Sequence, residues 1–130
     1  MANYYASART NYFELKNMDA FKEEMSNYGV EVSEKHGTEM VCLLGNDPDS
    51  GCFPSYNCET DEEVDFPQVV APFLKNGWVA IFMEAGAEKL RYVHGHAVAI
   101  NNEGEERFIN LTEIYDLAAE LGEYVTEAQY

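Results

Sequence analysis

The chain has 130 residues, 46% of them apolar, with seven Phe, nine Tyr and one Trp, a composition that supports a folded core and argues against disorder. We therefore expect one domain over residues 1–130. Its 24 acidic and 8 basic residues give a net charge of −16, which repels nucleic acid and anionic membranes and favours cations and basic protein surfaces. Such acidity is also compatible with solubility alone or with a saline habitat.

Export and membrane insertion are not indicated. The N-terminus lacks the basic start and apolar stretch of a secretion signal. The longest apolar runs, such as residues 78–83, are far below the roughly 20 residues that a membrane helix needs. Three cysteines are an odd number, which argues against a complete disulfide framework. We expect a cytoplasmic protein with reduced thiols.

The first part of the chain predicts the order β-α-β-β. Residues 4–15 are rich in Tyr, Phe and Thr and predict a strand. Asn17 offers an N-cap for a helix whose apolar residues recur at helical spacing up to Gly29. Residues 30–34 and 40–44 predict two short strands.

The middle of the chain predicts a long loop and a helix. Residues 45–64 hold Gly, Asp, Pro, Ser and Asn and predict an acidic loop of about twenty residues, a length that is often functional or mobile. Apolar residues at i, i+3, i+4, i+7 and i+8 predict a helix over 66–74, with Asp65 as its cap and Gly77 as its stop. Pro72 should kink this helix.

The last part predicts three strands and a helix. Residues 78–84 and 90–100 are the strongest strand candidates, with residues 85–88 as their connection, and residues 107–111 form a further strand. Thr112 can cap a final helix. The residues expected on its buried face are Ile114, Leu117, Ala118 and Leu121.

This element order predicts an α+β fold with a mostly antiparallel sheet and two or three helices. The first six elements match a ferredoxin-like, split β-α-β arrangement. A C-terminal hairpin and helix extend it.

The net charge is concentrated in two tracts. Residues 47–65, the loop tract, carry seven acids and no base, and residues 103–130, the C-terminal tract, carry eight acids and one base. In the C-terminal tract five acids recur at spacings of 3, 4, 3 and 4, which on a continuous helix gives one row with roughly 5–6 Å between neighbours. The candidate binding residues are Asp61, Glu62, Glu63, Glu113, Asp116 and Glu120.

A row of carboxylates at that spacing resembles the phosphates of a nucleic-acid strand. The sequence therefore favours a non-catalytic acidic binding protein, with a basic protein surface as its partner and no direct contact with nucleic acid or membrane. Within this class, the leading hypothesis is a nucleic-acid-mimicking inhibitor of a host nucleic-acid-binding or defence protein. The simpler interpretation is a solvated outer helix face.

A small metal- or thiol-dependent enzyme is the main alternative. His94 and His96 are separated by one residue in a predicted strand, so their side chains should point to the same side of the sheet. The available thiols are Cys42, Cys52 and Cys58. However, Cys52 and Cys58 are separated by five residues, more than the usual zinc spacing, and no nucleophile elbow, phosphate loop or dinucleotide motif is present. We assign no catalytic residue, metal ligand or cofactor.

Three further patterns have structural explanations. Residues 47–51 resemble a calcium loop, but Gly51 stands where a ligand belongs, and a turn explains the same composition. Arg9 and Arg91 should pair with carboxylates inside this acidic chain, with a small anion site as the alternative. Aromatic strands and sheet edges are also compatible with a self-associating structural subunit.

Two stretches carry a resemblance. Residues 2–13 (ANYYASARTNYF) and 84–92 (EAGAEKLRY) resemble short acidic proteins encoded on bacterial plasmids, integrative elements and prophages. The resemblance extends over most of the chain and implies a mobile genetic element, a setting in which inhibitors of host defences occur and some are acidic nucleic-acid mimics. It implies no particular activity and no functional residue.

Overall fold

The fold was analysed in a computed structural model, which describes residues 4–45, 51–54, 56–88 and 92–127. The strands are β1 (Tyr4–Thr10), β2 (Phe13–Glu14), β3 (Val30–Glu34), β4 (Met40–Gly45), β5 (Tyr56–Asn57), β6 (Glu62–Glu63), β7 (Val79–Glu88), β8 (Tyr92–Asn101) and β9 (Glu106–Asn110). The α-helices are α1 (Met18–Met25), α2 (Phe66–Val70) and α3 (Ile114–Ala118), and short 3-10 helices span Ala71–Phe73 and Leu111–Glu113.

Within the described ranges, the main sheet is antiparallel throughout. Its order is β4-β1-β7-β8-β9, and both β2 and β3 also pair with β4. The order β3-β4-β1-β7, with α1 and α2 in the connections, is that of the split β-α-β arrangement. The predicted α+β class, antiparallel sheet and C-terminal extension are therefore confirmed.

The strand predicted over residues 4–15 is broken into β1 and β2. The register along β4 shifts by one residue between Arg9↔Leu44 and Phe13↔Val41, as a β-bulge requires. Asn11 lies at this break and bonds to β7 on the other side. Its side chain donates to the Val79 carbonyl at 3.0 Å and accepts from the backbone N–H of residue 81 at 2.8 Å.

Two helices follow the sequence prediction in position but are shorter than expected. The side chain of Asn17 accepts a hydrogen bond from the Ala20 N–H at 3.0 Å, which confirms the predicted N-cap of α1. This helix ends at Met25, before Gly29. The helix predicted over 66–74 continues beyond Val70 only as a 3-10 turn that contains Pro72.

The predicted connection at residues 85–88 is wrong. These residues belong to β7, where Gly86 pairs with Ala6 on one side and His94 on the other. Small residues that are typical of a turn here lie within a strand that pairs on both sides. The connection between β7 and β8 lies outside the described residues.

One face of the sheet, the helix face, packs against α1 and α2. The core comprises Phe13, Leu15, Phe21, Met25, Tyr28, Val41, Leu43, Phe66, Val70, Ala71, Leu74, Ala80, Phe82 and Ile100. Part of the predicted long loop adds to it, because the ring centroid of Phe53 lies 5.9 Å from that of Phe66 and 5.3 Å from that of Phe82.

The predicted buried face of the last helix is wrong. Ile114 and Leu117 are 56% and 57% exposed, and Leu121 is 91% exposed. The helix α3 has only five residues and makes no extensive contact with the core in the described part of the chain. Its apolar side is therefore left in solvent.

Among the described residues, no helix has both the length and the apolar character to cross a membrane.

Candidate functional site

The second face of the sheet, the open face, is defined by strand register. Side chains of directly paired residues lie on the same side of an antiparallel sheet. The open face consists of Ser7, Arg9, Val79, Ile81, Met83, Ala85, Val93, Gly95, Ala97, Ala99, Arg107 and Ile109. One row crosses four strands, from Arg9 through Met83 and Ala97 to Ile109.

The open face is apolar and exposed. Met83 is 57% exposed, Val93 58% and Ile109 63%. Antiparallel sheets commonly pair one apolar core face with one polar solvated face. A contiguous exposed apolar patch is unusual in a soluble protein and marks an interaction surface.

A groove of about 350 Å³ runs along this face between the side chains of Arg9, Met83, Ile109 and Leu111. Gly95 lies in its floor. A Cβ atom at Gly95 would lie 2.9 Å from Leu111 Cδ1, so glycine is what allows Leu111 to pack on the strand. The groove therefore ends where the C-terminal segment leaves the sheet.

The acidic candidates of the loop tract lie in the β5–β6 hairpin. Asp61 occupies the turn with φ 57°, a left-handed conformation that Asp tolerates, and Glu62 and Glu63 form β6. All three are exposed. Because successive strand residues alternate sides, Glu62 and Glu63 point in opposite directions.

The acidic candidates of the C-terminal tract do not form one continuous helical row. Glu113 accepts a hydrogen bond from the Asn110 N–H at 2.6 Å and so caps the 3-10 helix. Asp116 lies in α3, whereas Glu120 follows its last residue. The row of five that a continuous helix would give is interrupted after α3, before Gly122, where the sequence predicts the helix to end, and all three candidates are exposed.

Two lysine side chains in the described part of the chain form ion pairs. The lysine ion pairs there are Lys22–Glu34 at 3.2 Å and Lys75–Glu14 at 3.5 Å, and both use carboxylates outside the two tracts. Arg9, which we predicted to pair with a carboxylate, donates to the Thr10 carbonyl at 3.1 Å and lies over the Tyr12 ring. Arg91 is outside the described residues, as are residues 47–50 of the calcium-like turn.

The two strand histidines lie on one side of β8, as predicted, opposite Gly86 and Glu84. His96 Nε2 is 3.9 Å from Glu84 Oε2, and the same carboxylate accepts the Phe53 N–H at 3.3 Å. The Glu84 side chain is only 13% exposed. Glu84 was not a predicted site residue, because only the register between β7 and β8 reveals its contact with His96.

The cysteines are dispersed. Cys42 is buried in β4 as predicted, and β1 and β7 separate it from β8 by three strand spacings, roughly 14 Å. Cys58 is exposed, and Cys52 directly precedes Phe53. Among the described residues, no three His, Cys, Asp or Glu side chains are grouped to hold a metal ion.

Comparison of the chain with protein-family models, curated proteins and solved structures finds no match.

Proposed function

We propose that this chain is a non-catalytic binding protein that docks its acidic surface on a basic protein surface. The observation that supports this function is the exposure of those tract carboxylates that lie in the described residues, with the lysine ion pairs formed elsewhere. Exposed carboxylates in a chain of charge −16 accelerate association with a cationic partner and suppress association with anionic ones.

The partner class that fits best is a protein that binds nucleic acid. Such proteins present basic clefts to rows of phosphates. The acidic surface would compete for such a cleft, which makes the chain an inhibitor. The resemblance to proteins of plasmids and prophages supports a host defence protein as the target.

Charge reversal tests this function. In an extract of the source cells, we expect E62K/E63K and D116K/E120K to lose about tenfold or more in partner affinity, because attraction becomes repulsion. The matched control is E23K/E31K, which changes the net charge equally at exposed positions outside both tracts. Captured proteins should elute as the salt concentration rises. While they are bound to this chain, they should not bind DNA. Equal capture by all three variants would contradict the proposal.

A second candidate, a small thiol-dependent enzyme, is favoured by one contact. Glu84 holds the backbone beside Cys52 and lies next to His96. If Cys52, His96 and Glu84 act together, Cys52 should be alkylated rapidly at a pH below that at which an ordinary thiol reacts. The E84Q variant should then lose this rapid alkylation. Cys58 is the exposed control within the same chain. Alkylation of both thiols with one common pH profile would exclude this candidate.

A further inference from the structure

We propose that the open face is covered in solution by residues 111–127 of a second copy of the chain. The exchange is reciprocal, so each copy gives its C-terminal segment and receives that of its partner. A two-fold axis closes such an exchange without leaving a free interface.

The exposed area is sufficient for a stable dimer. Eight of the large exposed apolar residues on the open face and the adjoining C-terminal segment are Val79, Met83, Val93, Ile109, Leu111, Ile114, Leu117 and Leu121. At roughly 100 Å² of exposed surface each, they present on the order of 800 Å², which is one partner's share of a standard interface.

The chain's own segment does not cover the face. Leu111 packs at its border above Gly95, but the segment then turns away and leaves Ile114 and Leu117 more than half exposed. Two complementary apolar surfaces in one chain therefore both lack cover within the described residues. A second copy can satisfy both at once.

The charges also fit this occupant. On β1, β7, β8 and β9 the charged side chains of the open face are Arg9 and Arg107, two of the three arginines in the chain. Glu31 lies on the same face farther out, on β3, two strands beyond Arg9. The segment 111–127 carries five acids and no base. In the dimer, the acids beside the apolar side chains of one copy's C-terminal segment would thus meet the arginines beside the apolar groove on the other copy's open face. The dimer remains strongly acidic, and the β5–β6 hairpin stays free for the partner proposed above.

Molar mass in solution tests the dimer. Sedimentation equilibrium of the full chain over a wide concentration range should show about 29 kDa, twice the chain mass of 14.7 kDa. We expect M83E and L117E each to raise the dimer dissociation constant by about 100-fold or more, because each would bury an unpaired carboxylate among apolar side chains. The control T38E adds the same charge at an exposed turn. Circular dichroism verifies the fold of each variant.

Mixing the two variants tests the exchange itself. An M83E chain keeps an intact segment and an L117E chain keeps an intact face, so their mixture should recover one of the two contacts and form a heterodimer. A wild-type monomer at all concentrations would overturn the proposal, as would dimers in both variants or a mixture that stays monomeric. The E62K/E63K test of the acidic-surface proposal does not involve the open face, so that proposal stands or falls independently of these outcomes. Asp116 and Glu120 lie in the exchanged segment, so the D116K/E120K variant bears on both proposals.

Discussion

Neighbouring residues of the same strand point to the helix face and to the open face, and these two faces have opposite environments. In β7, Phe82 is 3% exposed beneath Phe53 and Phe66, whereas Met83 is 57% exposed on the other side. Composition alone does not distinguish them, since both faces are apolar. The difference shows that the described part of this chain covers one apolar face of the sheet and leaves the other exposed, which is the observation behind the proposed dimer.

The largest expected effect comes from truncating matched residues on the two faces. Phe82→Ala should lower the free energy of unfolding by about 3–5 kcal/mol, because it leaves a cavity among packed aromatic rings. Met83→Ala should cost less than about 1 kcal/mol in dilute, monomeric protein. Urea denaturation of both variants checks this, and equal losses would remove the distinction between the faces.

A smaller effect is expected for hydroxyl groups on β1. Thr10 is 2% exposed, and its Oγ1 accepts the Leu43 N–H at 2.8 Å. Thr10→Val leaves that buried donor unsatisfied and should cost about 1–3 kcal/mol. Ser7→Ala on the open face is the control and should change stability by less than about 0.5 kcal/mol. A neutral Thr10→Val substitution would show that water reaches this strand pair.

The smallest effect is a pH dependence on the helix side. Burial, followed by the hydrogen bond from Tyr28 Oη to Glu24 Oε2 and the charge of that carboxylate, raises the pKa of Tyr28 above its ordinary value of about 10. The protonated phenol is thus favoured in the folded state. Its contribution to stability is complete below about pH 10 and is lost as the pH rises through the folded pKa.

Denaturation curves at several alkaline pH values measure this dependence. Between pH 9 and the onset of alkaline unfolding, the stability of wild type should fall more steeply than that of Tyr28→Phe. Parallel curves would mean that Tyr28 ionises equally in both states.

The sequence predicted the order of strands and helices because those signals are local. The Asn17 cap and the helical spacing in α1 depend on neighbouring residues, as does the alternation in β8. The sequence could not show that residues 85–88 belong to a strand rather than a connection. Their place in β7 depends on pairing with β1 and β8, which are distant in sequence. The prediction that Leu117 is buried was wrong for a related reason. Amphipathic spacing identifies the apolar side of a helix, but it does not identify a surface that covers that side.

One signal for the open face was present in the sequence. Residues 78–83 are apolar without alternation, a pattern typical of a strand that is buried on both faces. The acids of the C-terminal tract would form one row only on a continuous helix, whereas α3 ends at Ala118. Charge positions were readable from the sequence, but their arrangement depended on how far the helix extends.

Methionine oxidation tests the cover of the open face most directly. Dilute peroxide should oxidise Met83 rapidly in dilute protein, and the rate should fall as concentration rises and the second copy covers the face. Met25, which is 2% exposed in the core, is the internal reference and should react slowly at every concentration. Oxidation of Met83 at one rate across the whole concentration range would contradict a covered open face.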